Sequence, residues 1–212
     1  MSFNADEYRY VMGHYPTGVV AVTAMVLGEP RGMVVGTFAS VSLDPTIVSF
    51  MPGRQSNSWK HLQKADKYCI NIIGSDQETI CRNLASKDPN KFDHVSWHIS
   101  PSGHLRLDGA AAYLECDVME VFGMGDHDVV MCQPTSLELG SKELPLLFYR
   151  GGYGSFVPLS EIAWQISPDG LRSINAVRPL MQKLAMDLNT EVTAVLQQGE
   201  SLILAASEGR SQ

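Results

Sequence analysis

The sequence predicts a mainly β fold, a barrel of short strands with a few flanking helices. Many runs of alternating or β-branched residues are bounded by glycine or proline, which is the pattern of short strands. Only a few segments have the three-to-four-residue spacing of amphipathic helices. An antiparallel sheet in water must protect its edges, and closing into a barrel does so. The length of 212 residues suits one domain, or one domain and part of a second.

The first quarter of the chain predicts one helix and three strands. A short helix is expected in "DEYRYVMGHY", because Pro16 and Gly18 then end the helical pattern. The stretches "GVVAVTAMV", "GMVVGTFASVSL" and "TIVSFMP" are each predicted as one strand, with a turn at Asp44-Pro45 before the last.

Helices and strands then alternate up to the end of the barrel. A helix is predicted in "SNSWKHLQKA" and a strand in "KYCINIIG". Ser75 and Glu78 form a capping-box pattern, so a second helix is expected over "SDQETICRNLAS". Two or three strands are expected over residues 109–139, and "PLLFYRGGYGSF" is predicted as the last strand.

The tail from about Ser160 has a different pattern. "SINAVRPLMQKLAMDLN" is predicted as a helix with leucines four apart, and "TEVTAVLQQGESLILAAS" as a hairpin that turns at Gln198-Gly199. One helix and one hairpin bury too little to fold alone. The chain is therefore divided into a barrel domain, residues 1–158, and a tail, residues 159–212. The tail either docks for stability or belongs to a larger regulatory module.

Composition and charge exclude several function classes. The net charge of −7 disfavours nucleic acid as a partner, because phosphate binding needs an excess of Lys and Arg on one face. The N-terminal "MSFNADEYRY" lacks the apolar core of a signal peptide, and the longest apolar run, "GVVAVTAMVLG", is too short to span a bilayer. We expect a cytoplasmic protein with no membrane association.

Cysteines and histidines give no metal-binding pattern. The cysteines form no C-x-x-C pair, and they are expected to be buried thiols; they are Cys69, Cys81, Cys116 and Cys132. His94 and His98 stand four apart, but the segment between them is predicted to be extended and has no further ligand at the right spacing. No metal site is expected.

Several polar motifs stand at the predicted ends of strands, where a barrel has its mouth. Hydroxyl groups are concentrated in "GTFASVS", and "GRQSNSW" places Ser and Arg before a helix, where free backbone N–H groups favour a phosphate. "SKDPNKF", "GMGDHDVV" and "YRGGY" add lysines, a histidine after a glycine turn, and an arginine beside paired glycines. Each motif also has a purely structural interpretation: a solvent face, an N-cap, a surface turn or a loop. Neither G-x-G-x-x-G nor a P-loop is present.

The order of the motifs is more specific than any one of them. "YPTGVVAVTA", "GTFASVSLDP", "SNSW", "CINII", "DPNKF", "LECDV", "GDH" and "PLLFYRGGY" follow one another over roughly Tyr8 to Phe156. Together they strongly resemble the short-chain flavin reductases, the reductase components of two-component flavin monooxygenases in the FMN-binding split-barrel superfamily. The resemblance implies a six-stranded antiparallel barrel working as a homodimer. It also implies noncovalent FMN or FAD, NADH or NADPH as hydride donor, and a monooxygenase that accepts the reduced flavin.

The resemblance also implies where the cofactors bind. The flavin ring would lie along Val35, Gly36, Thr37, Phe38, Ala39, Ser40, Val41 and Ser42. Its ribityl chain and phosphate would be held by Gln55, Ser56 and Asn57, with Lys91 assisting at the phosphate. His127, the catalytic candidate, and Tyr153 would border the nicotinamide, and Arg150 and Gly152 would lie near the pyridine nucleotide. Many members have a serine at the position of Ala39. Alanine lacks the side-chain hydrogen bond of that serine but keeps the backbone donor.

Two other functions stay open from the sequence. The first is a flavin-binding electron-transfer protein of the flavoredoxin type, which takes no hydride from a nicotinamide. The tail resembles the start of the effector-binding domain of isocitrate-lyase-regulator-type transcription factors, which would suit a ligand sensor; the helix-turn-helix part is absent. The sequence does not distinguish FMN from FAD or NADH from NADPH, and it does not identify the monooxygenase.

Overall fold

The computed structural model of this chain describes residues 4–155, 168–198 and 201–209. The chain forms two compact units, Met1–Phe156 and Val157–Gln212, each with its own elements. The boundary predicted between residues 158 and 159 lies outside the described residues.

The first unit is built mainly from antiparallel strands. Its strands are β1 (Thr17–Gly18), β2 (Val20–Val26), β3 (Glu29–Val35), β4 (Ala39–Leu43), β5 (Thr46–Phe50), β6 (Lys67–Ile72), β7 (Trp97–Ile99), β8 (Leu105–Leu107), β9 (Ala112–Met124), β10 (His127–Leu139), β11 (Leu146–Tyr149) and β12 (Gly152–Ser155). Its helices are α1 (Ala5–Met12), α2 (Asn57–Leu62) and α3 (Glu78–Ala85), with 3-10 turns at Ser75–Gln77 and Lys91–His94. The predicted class, mainly β with flanking helices, is confirmed.

The central sheet has the strand order β3-β2-β6-β9-β10-β5-β4, and its neighbouring strands are antiparallel. Within the described residues it has seven strands, where the resemblance implied six. No ladder joins the outer strands β3 and β4 in this part of the chain, so closure of the barrel stays a prediction.

The stretch from Gly32 to Leu43, predicted as one strand, is in fact two. β3 ends at Val35 and β4 begins at Ala39. The chain turns at Gly36, which lies so close to β1 that a Cβ there would stand 2.6 Å from Oγ1 of Thr17. Only glycine permits this approach, and the interruption separates the two strands.

Two smaller sheets complete the unit, with strand orders β1-β11-β12 and β7-β8. The last strand predicted from the sequence is a hairpin, because β11 and β12 pair around a two-residue turn. The turn residues Arg150 and Gly151 have φ values of 49° and 82°. Positive φ at both positions matches the twist of antiparallel strands joined by a two-residue loop.

The prediction of a capping box at Ser75 and Glu78 is wrong. Ser75–Gln77 form a 3-10 turn, and the α-helix begins only at Glu78. The side chain of Gln77 holds this junction: its Oε1 accepts a hydrogen bond from the backbone N of Gly74 at 3.2 Å. Its Nε2 donates to the carbonyl oxygen of Asp108 at 2.8 Å. A side chain that reaches a distant loop leaves no local sequence pattern.

Apolar side chains pack on both faces of the central sheet. One cluster lies under α2 and includes Val20, Val22, Phe50, Trp59, Leu62, Tyr68 and Ile70. The other lies under α3 and includes Val19, Ala21, Ile73, Leu84, Leu105 and Leu107. Alternation along β2 directs its residues to the two clusters in turn. Each large apolar side chain that is fully buried stabilises the fold by about 1.5–3 kcal/mol.

The four cysteines are free and buried, as predicted from their spacing. Burial raises the pKa of Cys69 and of Cys132 to about 12. Burial likewise raises the pKa of the Cys81 and Cys116 thiols. At neutral pH all four therefore act as small apolar side chains.

A buried ionic network connects β8, β9 and β10. Arg106 lies between Glu115, 2.8 Å from its Nε, and Glu138, 2.5 Å from its Nη1. Burial would raise the pKa of Glu115, but hydrogen bonds from Ser102, Ser100 and Arg106 outweigh it and hold that pKa below its usual range. His104 joins the network through Nδ1, 3.0 Å from Oγ of Ser102.

The other nitrogen of His104, Nε2, is buried without a hydrogen-bond partner. Burial, the largest effect, lowers the pKa of His104 although Glu115 acts in the opposite direction. The neutral imidazole is therefore the form that the fold favours.

The second unit pairs one helix with one hairpin. Helix α4 spans Pro168–Leu188, so it begins before the predicted Ser173, and β13 (Val192–Gln198) pairs with β14 (Ser201–Glu208). Buried side chains of the helix include Met181 and Ala185. Arg178 of α4 forms an ion pair of 2.6 Å with Glu208. Gly199, the second residue of the predicted turn, lies outside the described residues.

Among the helices described, none combines the length and the apolar character that crossing a membrane requires. The same residues contain no group of three His, Cys, Asp or Glu side chains arranged to hold a metal ion.

Candidate functional site

A polar cavity of about 930 Å³ opens beside α2. Its walls come from the start of β3, from the loop and first turn of α2, and from the segment that follows α3. The polar and charged side chains that line it include Arg31, Gln55, Ser56, Asn57, His61 and Lys91. The structure thus brings together the four residues predicted to hold the ribityl chain and phosphate of a flavin.

Residues 53–57, which comprise the loop before α2 and the first residue of the helix, are called the phosphate loop below because a phosphate is predicted to bind there. It is shaped by the cap of α2: Oγ of Ser56 accepts a hydrogen bond from the backbone N of Trp59 at 3.3 Å. Because α2 has only six residues, its dipole is weak, and charged side chains must supply most of the attraction for an anion.

Lys91 supplies one of those charges from the opposite wall. Its Nζ donates hydrogen bonds to Oγ of Ser58 at 2.9 Å and to the carbonyl oxygen of Leu84 at 2.8 Å. Partial burial, and then the positive charge of Arg31, lower the pKa of Lys91. Arg31 itself is paired with Glu29. A phosphate bound near Lys91 and Arg31 would offset the repulsion between them, so the side chains present fit an anionic group.

The stretch predicted to contact the flavin ring lies apart from this cavity. Val35 is buried in the core, Phe38 packs against it, and Ala39, Ser40 and Val41 of β4 are exposed. The hydroxyl of Thr37 is occupied: Oγ1 donates to the carbonyl oxygen of Met51 and accepts from its backbone N, both at 2.9 Å. Gly36 and Ser42 also lie outside the cavity.

His127 begins β10, directly after a tight turn at Gly125, whose φ is 64°. Residues 125–128 are called the His127 turn below. Nδ1 of His127 is 2.7 Å from Oδ1 of Asp126, and this hydrogen bond lowers the pKa of the Asp126 carboxyl. The imidazole is 45% exposed, so a ligand could reach it. Gly53 pairs with His127 through a backbone bridge, which brings the phosphate loop and the His127 turn side by side.

The β11–β12 hairpin forms a second cavity, of about 430 Å³. Gly152 and Tyr153 line it together with Pro16, Leu147, Tyr149, Gly154 and Ser155. Arg150 lies at the exposed turn of the same hairpin. Neither His127 nor the stretch from Val35 to Ser42 lines either cavity.

Two side chains of α3 contact Tyr153. Its hydroxyl oxygen is hydrogen-bonded to Sγ of Cys81 at 3.2 Å, and the guanidinium carbon of Arg82 lies 4.9 Å from the ring centre. Burial raises the pKa of Tyr153 to about 12. Tyr153 can therefore offer its ring to a ligand in the second cavity, but its hydroxyl does not titrate near neutral pH.

Two charged residues of this region were not among the predicted site residues. They are Arg31 and Asp128. Asp128 accepts a hydrogen bond from Nε1 of Trp59 at 2.8 Å and pairs with Nε of Arg54 at 3.0 Å. Asp128 is 69 residues from Trp59 in sequence, so spacing alone gave no signal for the cluster.

Comparisons with known proteins agree with this architecture. Residues 12–156 match the flavin reductase-like domain family. A flavin reductase of Pseudomonas putida is 43% identical over 153 residues, which cover 72% of this chain and 90% of the relative.

Two solved structures have the same fold. Nitrilotriacetate monooxygenase component B of Mycobacterium thermoresistibile is 34% identical, with a TM-score of 0.70 over 77% of this chain and 93% of that one. The NADH:FAD oxidoreductase SgcE6 of Streptomyces globisporus, solved with NAD and FAD fragments, is 29% identical, with a TM-score of 0.68 over 73% and 94%. The match over most of the first unit shows that this chain belongs to the flavin reductase-like domain family.

Proposed function

We propose that this protein transfers hydride from NADH or NADPH to FMN or FAD and supplies the reduced flavin to a flavin-dependent monooxygenase. The observation that carries the proposal is the polar cavity in which Gln55, Ser56, Asn57 and Lys91 meet, beside the exposed His127. Relatives named as a flavin reductase, a monooxygenase component and an NADH:FAD oxidoreductase support the same activity.

A bound flavin supplies the electron acceptor, and the nicotinamide supplies the hydride. The protein's own part is to bind and orient the two. In this proposal the phosphate loop binds the phosphate end of the flavin with Lys91 opposite. The stretch from Val35 to Ser42 contacts the ring through its backbone, since Val35 is buried and the Thr37 hydroxyl is occupied.

His127 would contact the nicotinamide, and Tyr153 would offer its ring to the same ligand from the β11–β12 hairpin. Neither residue has to move a proton, because hydride transfer between the two rings needs close approach and alignment above all. The role proposed for His127 is therefore to hold the donor by stacking or by a hydrogen bond. The exposed imidazole and its link to Asp126 suit that role.

The decisive test is steady-state oxidation of NADH and NADPH with FMN and FAD in all four combinations. The proposal requires rapid oxidation with at least one pair and stoichiometric reduction of added flavin. Flavin binding without nicotinamide oxidation would instead support an electron-transfer protein of the flavoredoxin type. If neither flavin changes absorbance or fluorescence on titration, the proposal is wrong.

Partners are part of the same proposal. Several large apolar side chains are exposed along β9 and β10, among them Met119, Val121, Phe122, Met124 and Leu137. A second copy of the chain covering such a surface would give the homodimer that the family resemblance implies. Sedimentation at micromolar concentration should then give twice the mass of 23.2 kDa; a species of 23.2 kDa would contradict the dimer. A cytoplasmic location also stays a prediction.

A further inference from the structure

One carboxylate joins the two segments that the proposed function assigns to different ligands. Asp128 belongs to the His127 turn, yet both of its carboxylate oxygens are bound to residues at or near the phosphate loop. Oδ2 accepts a hydrogen bond from Nε1 of Trp59 at 2.8 Å, and Oδ1 lies 3.0 Å from Nε of Arg54. Arg54 belongs to the phosphate loop, and Trp59 belongs to the helix that the loop leads into.

Backbone contacts lie on either side of this carboxylate. The backbone N of Arg54 donates to the carbonyl oxygen of Asp126, and the backbone N of Asp128 donates to the carbonyl oxygen of Pro52, both at 3.0 Å. The isolated bridge between Gly53 and His127 lies between them. The phosphate loop thus runs along the His127 turn as a short extra ladder, and the Asp128 side chain fixes its position.

The Arg54 side chain is 53% exposed, and its inner side faces the central sheet. Gly123 stands opposite Asp128 in the β9–β10 ladder. A Cβ at Gly123 would lie 3.2 Å from the guanidinium carbon of Arg54, so the guanidinium rests on the bare backbone of this glycine. The other partner, Trp59, is 1% exposed and packs edge-on against Phe50. The Asp128 carboxylate is itself only 14% exposed.

From this geometry we infer that Asp128 is a positioning residue that couples the flavin-phosphate site to the nicotinamide site. Any ligand that orders the phosphate loop also fixes the Arg54–Asp128 pair, and through it the backbone beside His127. The coupling is reciprocal, because a shift of either segment changes the same contacts. Flavin bound in the cavity therefore raises the affinity of the nicotinamide, and the nicotinamide raises that of the flavin. This inference rests on the proposed function.

Two substitutions separate the contacts of the carboxylate. Asp128→Asn keeps an oxygen that can accept from Trp59 but removes the charge that holds Arg54. Arg54→Met removes the same ion pair from the other side and leaves the Trp59 hydrogen bond intact. Asp117→Asn is the matched control, because it makes the same chemical change on an exposed side chain of the same hairpin. Melting temperatures and circular dichroism confirm that each variant is folded.

Two ligand measurements are made on each variant. The first is the flavin Kd, and the second is the apparent KM for NADH at saturating flavin. Each coupling variant should raise the flavin Kd and the KM for NADH by about 3- to 10-fold, and Asp117→Asn should change neither. The double variant should bind each ligand no more weakly than the worse single variant, because both substitutions remove the same Arg54–Asp128 ion pair. A change in only one ligand's binding, or additive losses in the double variant, would overturn the coupling.

A measurement without ligands keeps the inference separate from the proposed function. Amide hydrogen exchange of the free protein should speed up at residues 53–57 and at residues 125–128 together in both variants. Exchange that rises in one segment alone would show that Asp128 does not link them. If the wild-type protein binds no flavin and oxidises no NADH, the proposed function fails, while the exchange result still decides whether the link exists.

Discussion

Replacing Ser56 by aspartate tests whether the cavity beside α2 binds a phosphate. Ser56 lines the cavity and caps α2 through its Oγ. Aspartate and asparagine cap helices about as well as serine, so Ser56→Asp and Ser56→Asn should both leave the helix intact. They differ from each other only in one negative charge. Ser56→Ala completes the set, because it loses the cap without adding a charge.

The size of the effect follows from the position of the side chain. If a phosphate binds beside residue 56, a carboxylate there repels it: two unit charges about 6 Å apart repel by about 1–3 kcal/mol at the effective dielectric of a partly exposed cavity. Since 1.4 kcal/mol is a factor of ten, the flavin Kd should rise by about 5- to 150-fold. Ser56→Asn should change the Kd by less than about threefold. Ser56→Ala should lose about 1 kcal/mol of stability, which lowers Tm by about 2–4 °C in a domain of this size.

The assay is a fluorescence titration of each variant with FMN and with FAD, repeated at low and high salt. Screening weakens repulsion between partly exposed charges, so the gap between the aspartate and asparagine variants should narrow as salt increases. Equal Kd values for those two variants would show that no phosphate binds near Ser56. If only Ser56→Ala loses much flavin affinity, the shape of the loop matters for binding and its charge does not.

Three further predictions concern single residues. His127→Ala should raise the apparent KM for NADH by about 5-fold or more while the flavin Kd changes little, because the variant loses one contact with the nicotinamide. If the KM and the stopped-flow rate of flavin reduction are both unchanged, His127 is only a structural residue of the turn. Lys91→Met should weaken flavin binding by about 3- to 10-fold. Because the pKa of Lys91 is lowered, wild-type flavin affinity should fall as the solution becomes alkaline, and this slope should disappear in the variant. Since the pKa of His104 is lowered in the folded protein, the unfolded chain takes up the proton at a higher pH, so the free energy of unfolding measured in urea should fall as the pH drops below about 6.5. In His104→Gln this free energy should fall less steeply than in the wild type between pH 7.5 and 5.5. An identical slope would show that His104 does not cause the pH dependence.

Local sequence patterns were sufficient to predict the class of fold. The β-branched run that gives β2 and the polar segment that gives α2 have strong local signals, and both elements form where they were expected. The break at Gly36 was missed because it depends on contact with Thr17, nineteen residues away in the chain. The β11–β12 hairpin was missed although its Arg-Gly pair is a turn signal, because the flanking runs are only four residues long.

The candidate site was predictable only in part, for a similar reason. Gln55, Ser56 and Asn57 are consecutive, and Lys91 follows from the family resemblance, so their meeting in one cavity could be anticipated. Arg31 and Asp128 act through residues distant in sequence, namely Lys91 for the first and Trp59 for the second. Contacts of that kind depend on the tertiary fold, and no spacing rule along one chain reveals them.

The burial of the cysteines has a consequence for the chemistry that this family performs. Reduced flavin that escapes into solution reacts with dioxygen and yields hydrogen peroxide, which attacks thiolates far faster than thiols. Burial raises the pKa of Cys69 and Cys132 to about 12, so both are thiols at pH 7, and both residues are shielded from solvent. A flavin reductase that meets this oxidant thus keeps its cysteine sulfur in the form that reacts least. Slow alkylation of the folded protein by a thiol reagent, and fast alkylation after unfolding, would be the sign of this resistance.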